Sequence, residues 1–168
     1  MITSHHGFVE CWTPGAAPDT RLRLAWQTGR CGTVRITGAD VLRISSRVAV
    51  EALTVLESRQ VPLGPILANR NRSAVEFIVP AGTAATWPAL PHTRCVETAV
   101  MRCPAPAVTA ASRRRVQGRT WICAPSPERP AATDADALCE AVTTAIAARG
   151  TRILRISPHA NRQGEGHA

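Results

Sequence analysis

The chain of 168 residues contains no lysine and no tyrosine, and it has only two phenylalanines beside four tryptophans. All 20 basic residues are therefore arginines, and the formal net charge is +8. A coding bias toward GC-rich codons accounts for the choice of arginine, because alanine, glycine and proline are abundant as well. The alternative explanation is a phosphate-binding surface, since guanidinium groups hold phosphate bidentately and stay charged. Under either explanation the excess of base over acid favours polyanionic partners.

Long apolar runs and a leader segment are missing too. No stretch approaches the roughly 18 apolar residues that a membrane-spanning helix needs. The N-terminus lacks a charged segment followed by an apolar block, so no secretory signal is indicated. We therefore predict a cytoplasmic protein that has no membrane partner. Its length is that of about one domain with its own core.

Motifs that bind metals or cofactors are not found. The six cysteines include no Cys-x-x-Cys pair, whereas structural zinc sites normally have close ligand pairs. The nearest approach is His92-x-x-Cys95, followed by Cys103 and Cys123, and we expect core or near-surface thiols instead. Glycine-rich dinucleotide, Walker-type, nucleophile-elbow and zinc-protease motifs are absent as well. We predict no metal and no cofactor.

The clearest local pattern is a strand that turns directly into an amphipathic helix, over residues 38–59. Val41, Leu42 and Ile44 form the apolar strand, and Ser45 or Ser46 is placed to cap the helix that follows. The helix carries an apolar stripe at helical spacing, formed by Val48, Ala49, Ala52, Leu53, Val55 and Leu56.

Several other segments have strand or turn patterns. The alternation in residues 22–27 and 33–37 predicts strands, and 66–67 with 74–79 predicts a hairpin. Residues 83–87 suggest one helical turn, and the remaining predicted strands are 8–12, 93–96, 99–103 and 120–123.

A second helix is predicted near the C-terminus. Thr133-x-x-Asp136 fits a capping box, and Gly150 is expected to end the helix. Ile153, Leu154 and Ile156 then suggest a final strand. The apolar face of the helix consists of Leu138, Val142, Ala145 and Ile146.

Together these elements predict an α/β (α+β) fold, in a single domain. We expect a mixed or antiparallel central sheet and two main helices, at about 46–58 and 134–149. The domain spans residues 21–157, between a loose leader at 1–20 and a disordered tail at 158–168. An arginine-rich loop at 107–118 is predicted to be mobile.

The order of these patterns resembles small actinobacterial proteins that are similar to the N-terminal domain of bifunctional DNA primase/polymerases, in the archaeo-eukaryotic primase superfamily. The resemblance covers roughly residues 22–146. It is carried by residues 28–30, the run Ala-Asp-Val-Leu-Arg-Ile-Ser at 39–45, the helix 48–56, 75–84 with Trp87, 99–104 and 118–121.

The resemblance implies a catalytic site whose residues this chain lacks. In that family one strand carries two carboxylates one residue apart, which hold divalent metal for nucleotidyl transfer. Here the strand has Asp40, and the position of the second acid is Leu42. The family histidine would fall near residues 72–75, where the nearest acid is Glu76 and no histidine exists. The resemblance therefore implies a catalytically degenerate copy.

Three functions follow as hypotheses. The first is a basic nucleic-acid-binding accessory protein. Trp121 or Trp87 would stack on a base. The phosphate contacts would be Arg113, Arg114, Arg115 and Arg119, with Arg70 and Arg72 as a second contact. A solvated arginine loop and core tryptophans are the plainer interpretation of the same residues. The second function is a regulatory or scaffolding module that binds another protein. The third and least favoured is an active nucleotidyl transferase that uses Asp40.

Overall fold

The computed structural model describes residues 20–155, with side chains for residues 20–150. Four helices and seven strands lie in this range. The helices are α1 (Thr20–Gln27), α2 (Ser46–Ser58), α3 (Thr83–Thr86) and α4 (Ala135–Arg155). The strands are β1 (Gly32–Arg35), β2 (Ala39–Ser45), β3 (Ile66–Asn69), β4 (Ala74–Pro80), β5 (Thr93–Val96), β6 (Val100–Cys103) and β7 (Arg119–Cys123).

A five-stranded antiparallel sheet forms the centre of the fold, with the strand order β5-β2-β4-β3-β7. Strands β3 and β4 form the predicted hairpin, which pairs Asn69 with Ala74 around a 3-10 turn at Arg70–Arg72. Strands β1 and β6 pair with each other in a separate two-stranded ribbon. The predicted α+β class with an antiparallel central sheet and two main helices is confirmed.

Helices α2 and α4 cover one face of the central sheet, which we call the helix face. The apolar stripe of α2 packs there against inward-facing residues of β2 and β4, because side chains two apart on a strand share a face. The buried residues of this layer include Leu42, Ile44, Val48, Ala52, Leu56, Val75, Phe77, Val79, Leu138 and Val142.

The β1–β6 ribbon and α1 cover the opposite face, which we call the ribbon face. Its core includes Val34, Ile36, Val41, Leu67, Ile78, Met101 and Trp121. The sheet is therefore buried on both sides. For this reason two of its strands contain runs of consecutive apolar residues, Val41–Leu42 in β2 and Phe77–Val79 in β4.

Residues 22–27 form helix α1, so the strand predicted there is wrong. Leu22 and Trp26 are four residues apart, and this spacing places both on the inner side of a helix. Leu22 is buried, whereas Leu24, the middle residue of the apparent alternation, is 58% exposed. The sequence pattern was compatible with the alternation of a strand and with the spacing of a helix. Packing of α1 beside β1 selects the helix.

The predicted end of the last helix is also wrong. Helix α4 continues through Gly150 to Arg155, because one glycine costs only about 1 kcal/mol within a helix. Ile153 and Leu154 therefore belong to the helix, not to a final strand. Ile156 lies outside the described residues, as do the predicted strand at 8–12 and the tail at 158–168.

The start of α4 differs from the predicted capping box by one residue. The Asp134 carboxylate accepts a hydrogen bond from the Ala137 amide (2.8 Å), so Asp134 caps the helix. Thr133 is fully buried, and its hydroxyl oxygen accepts from the Gly64 amide at 3.0 Å. Its own amide donates to the carbonyl of Ile78 (2.8 Å). Thr133 thus fastens the helix to the sheet.

The serine predicted to cap α2 is at the cap position, but the predicted hydrogen bond of its side chain is not formed. The helix begins at Ser46 with Ser45 as the preceding residue, but no serine side chain bonds the first amides. The Ser46 amide instead donates to the carbonyl of Ser73 at 2.8 Å. Within residues 20–155, no helix is long and apolar enough to cross a membrane.

Candidate nucleic-acid interface

Asp40, the acid highlighted by the sequence, is a buried structural residue in this fold. Its side chain is on the helix face, and the residue is only 4% exposed. One carboxylate oxygen accepts a hydrogen bond from the Ala84 amide at 2.8 Å, in the first turn of α3. Asp40 thereby holds α3 against the end of β2.

Glu76 lies on the opposite side of the sheet. It faces Arg43 across the β2–β4 pair, and the Arg43 Nε donates to its carboxylate at 3.0 Å. Because Asp40 and Glu76 are on different faces, they cannot bind one ion together. In the part of the chain with described side chains, no three His, Cys, Asp or Glu residues are grouped so that they could hold a metal.

Glu97, in the turn directly after β5, is close enough to Cys95 to affect it, as is Asp40. Both acids act on Cys95, whose partner across the β2–β5 pair is Leu42. Burial, together with the negative charges of Asp40 and, more weakly, Glu97, raises the pKa of the Cys95 thiol to about 11. The site formed by these groups is a protonated thiol beside a buried, hydrogen-bonded carboxylate.

The arginine-rich loop is anchored at both ends. The amide of Ala110 donates to the carbonyl of Trp121 (2.8 Å), and the Trp121 amide donates to the carbonyl of Val108 (2.9 Å). Val116 and Arg119 exchange both backbone hydrogen bonds, at 3.0 and 2.9 Å. The predicted mobility of residues 107–118 stays a prediction.

The two residues between Val116 and Arg119 form a tight turn. Gln117 and Gly118 both have left-handed backbone conformations, with φ of 49° and 74°. Two consecutive positive φ angles are typical of a two-residue hairpin loop that matches the twist of its strands. The turn brings the chain back into β7 directly beside the Arg70–Arg72 turn.

Gln117 joins four segments of the chain. Its side-chain oxygen accepts from the Cys31 amide (3.2 Å) and from the Arg102 guanidinium (3.3 Å). Its backbone carbonyl accepts from the Asn71 side-chain amide (3.2 Å) and from the Arg119 guanidinium (3.1 Å). The Arg70 amide adds a bond to the carbonyl of Gly118 at 2.9 Å.

These contacts bring together arginines that are far apart in sequence. Two short segments around Arg70–Arg72 and Arg113–Arg119 become neighbours, and Arg102 joins them through Gln117. We call the resulting set the arginine surface: Arg70, Arg72, Arg102, Arg113, Arg114, Arg115 and Arg119. Arg119 is half-buried, and the other six are exposed.

The arginine surface has little acid nearby. The stretches 58–75 and 98–127, which contain all seven of its members, include no aspartate or glutamate. Ion pairs within residues 20–150 include Arg43–Glu76, Arg59–Glu140 and Arg149–Glu51, and none of these involves the arginine surface. Its guanidinium charges are therefore available to an outside anion.

The tryptophans proposed to stack on a base have core positions. Trp121 is fully buried, and its indole nitrogen donates to the carbonyl of Pro104 at 3.1 Å. Stacking by Trp121 is therefore wrong for this fold, because neither ring face reaches solvent. Trp87 is half-buried against the helix-face core and donates to the Thr93 hydroxyl at 3.0 Å. The core interpretation holds for both.

Three residues of the interface were missed from the sequence: Asn71, Arg102 and Gln117. The dipeptide Gln-Gly between Val116 and Arg119 is a weak hairpin signal, and it could have indicated the turn. Nothing in the sequence could have indicated that the turn would lie against Asn71. That contact depends on the pairing of β3 with β7, which joins residues about 50 positions apart.

Comparison with protein-family models, with curated proteins and with solved structures finds no match for this chain. The primase/polymerase resemblance therefore depends on the motifs quoted above and stays a prediction. The function proposed below depends on the arginine surface and not on a relative.

Proposed function

We propose that this protein binds the phosphate backbone of nucleic acid through the arginine surface, as a primase/polymerase-like domain that has lost its catalytic residues. One observation supports this most strongly. Gln117 joins Arg102, Arg119 and the turn that bears Arg70 and Arg72, so that separate arginines form one continuous basic surface.

The chemistry of the arginine surface suits phosphate better than an isolated carboxylate. Guanidinium groups bind phosphate oxygens with paired hydrogen bonds and remain charged at any physiological pH. Several of them spread over one surface match a ligand that repeats a negative charge along its length. Each phosphate neutralised releases counterions, so the affinity falls steeply as salt rises.

The proposal assigns binding and no nucleotidyl transfer to the protein. Asp40 uses a carboxylate oxygen to hold the Ala84 amide, and Glu76 is paired with Arg43 on the other face. Both acids therefore have structural roles. If either one bound a metal ion instead, the contact just described would be disturbed. An active transferase would require metal-dependent nucleotide incorporation that Asp40→Asn abolishes.

The direct test compares DNA with an uncharged analogue. A fluorescent single-stranded oligonucleotide, its duplex and a peptide nucleic acid of the same sequence are titrated with the full chain between 50 and 200 mM salt. We expect saturable binding of DNA with a steep salt dependence and no binding of the analogue, because only DNA carries phosphates. Equal binding of both, or none of either, would refute the proposal.

A protein-binding scaffold remains the alternative. It predicts no DNA binding in that titration and a stable protein partner in a pull-down from the native host. Replacing the exposed arginines would leave capture of that partner unchanged if the partner binds elsewhere on the protein. Capture would change if the partner binds the arginine surface itself.

A further inference from the structure

A concave site is lined by residues none of which belongs to the arginine surface. It is a cleft of about 550 Å³, formed by α1, by the loop after β6 and by the loop after β7. Its volume is within the range of small-molecule sites, roughly 300–1,000 Å³. The walls are mainly apolar and include Trp26, Pro106, Ile122 and Pro125.

The walls of the cleft are fixed by specific contacts. The Trp26 indole nitrogen donates to the carbonyl of Cys103 at 3.0 Å, which sets the plane of the ring. The Ser112 hydroxyl oxygen accepts from the Thr109 amide (3.1 Å), while the Ser112 amide donates to the Thr109 hydroxyl (3.1 Å). These reciprocal bonds shape the loop wall. A flat indole wall between prolines and an isoleucine favours a planar apolar ligand.

The charged side chains that line the cleft are Arg23 and Arg129, and the lining contains no aspartate or glutamate. Glu128, which is outside the lining, accepts a hydrogen bond from the Ser126 hydroxyl. The Arg129 guanidinium is positioned by a hydrogen bond to the sulfur of Cys123 (2.7 Å) and by the turn that its amide closes on the carbonyl of Ser126 (3.2 Å). The cleft therefore complements an anionic group attached to an apolar body.

We infer that this cleft binds a small planar aromatic anion, with the ring against Trp26 and its phosphate or carboxylate group at Arg129 and Arg23. This is a site additional to the arginine surface, and it does not depend on nucleic-acid binding. The exposed Ile122 side chain, 38% accessible, becomes part of the ligand contact.

The test uses two probes that differ only by a sulfonate group. Anilinonaphthalene sulfonate and the neutral N-phenyl-1-naphthylamine share the aromatic body, but only the first has an anionic group. We expect one saturable site with a preference of about tenfold or more for the sulfonate, the size of a charge-assisted hydrogen bond. Equal affinity for both probes, or no saturable site, would overturn the inference.

Two pairs of variants locate the site. Ala107→Trp places a large side chain in the cleft and should abolish binding of both probes. Ala110→Trp adds the same bulk to the same loop outside the cleft and should leave binding unchanged. Arg129→Gln should remove the preference for the sulfonate, whereas Arg129→Lys should retain most of it. Binding that survives Ala107→Trp would contradict the inference.

Competition experiments distinguish the source of the anion and separate this inference from the proposed function. Displacement of the sulfonate by adenosine monophosphate identifies a phosphate ligand, and displacement by indole-3-acetate identifies a carboxylate. Displacement by neither at millimolar concentration counts against the site. Arg113, Arg114 and Arg115 changed together to Ser should weaken DNA binding yet leave sulfonate binding unchanged, so the two proposals fail separately.

Discussion

The side-chain amide of Asn71 donates a hydrogen bond to the backbone carbonyl of Gln117 at 3.2 Å, across 46 residues of sequence. This uncharged contact holds two arginine-bearing turns together against the repulsion between their charges. The arrangement of the arginine surface therefore depends on neutral residues as well as on arginines. Changing those neutral residues tests the surface without altering its charge.

Asn71→Ala is the simplest such change. Asn71 is exposed, so we expect the free energy of unfolding to change by less than about 1 kcal/mol. DNA affinity should fall by roughly threefold to tenfold, because one neutral hydrogen bond that positions the arginines is lost. Fluorescence anisotropy at fixed salt measures this. An unchanged affinity would show that the contact does not organise the binding surface.

Gly118→Ala should combine a stability loss with a binding loss. Gly118 has φ of 74°, and a methyl group there would overlap the Asn71 Oδ1 atom. The left-handed conformation alone costs a residue with a side chain about 1–2 kcal/mol. Displacement of Asn71 should also weaken DNA binding.

Gly38→Ala is the matched control, since Gly38 has a similar φ of 71° and no heavy atom within 4 Å of the added methyl. It should lose comparable stability in urea denaturation and retain DNA affinity. If both variants bind DNA equally well, the role assigned to the Gln117–Gly118 turn is wrong.

Thr133→Val tests how α4 is fastened to the sheet. Valine has nearly the same shape but cannot accept the hydrogen bond from Gly64, so a buried amide loses its partner. We expect a loss of about 1–3 kcal/mol in the free energy of unfolding. Thr144→Val is the control on the exposed side of the same helix and should change it by less than about 0.5 kcal/mol. Equal effects of the two would contradict the assignment.

Cys95 provides a test of the position of Asp40. With a pKa of about 11, about one Cys95 thiol in a thousand is ionised at pH 8, and alkylation by iodoacetamide is slow because the thiolate is the reactive form. The rate should rise about tenfold per pH unit up to pH 11.

Asp40→Asn removes a negative charge that raises the Cys95 pKa, and its amide oxygen can still accept from Ala84. Alkylation of Cys95 at pH 8, followed by mass spectrometry of the peptide, should therefore become faster. Glu97→Gln should have a smaller effect, since Glu97 contributes less to the shift. A slower rate in Asp40→Asn would contradict the described geometry.

The sequence predicted the elements whose patterns are determined locally. The strand and helix at 38–59 and the hairpin around Arg70–Arg72 have a single consistent period, and all were confirmed. Residues 22–27 were assigned wrongly because Leu22 and Trp26 fit both a strand and a helix. Only packing against the β1–β6 ribbon decides between them, and that packing is a long-range property.

The candidate site was predictable only in part, because some of its features are local in sequence and others depend on long-range contacts. Arg113–Arg115 stand out as a run, and their exposure was expected. The role of Gln117 depends on four hydrogen bonds to residues between 2 and 86 positions away, and no local pattern encodes them. The burial of Trp121 follows from the ribbon that covers the sheet, which the sequence did not indicate.

The most direct test of the central proposal is the salt dependence of DNA binding by two triple variants. One changes Arg113, Arg114 and Arg115 to Ser, and the other changes Arg35, Arg47 and Arg94 to Ser, which are exposed, lie outside the arginine surface and belong to none of the ion pairs described above. Both lose the same net charge. Each phosphate contact contributes about 0.7–0.9 to the slope of log K against log salt.

We predict that the first triple variant lowers the magnitude of this slope by about 2–3 and weakens binding, while the second retains nearly the wild-type slope. Equal slopes in the two variants would show that net charge alone governs binding. That result would contradict a phosphate-binding arginine surface.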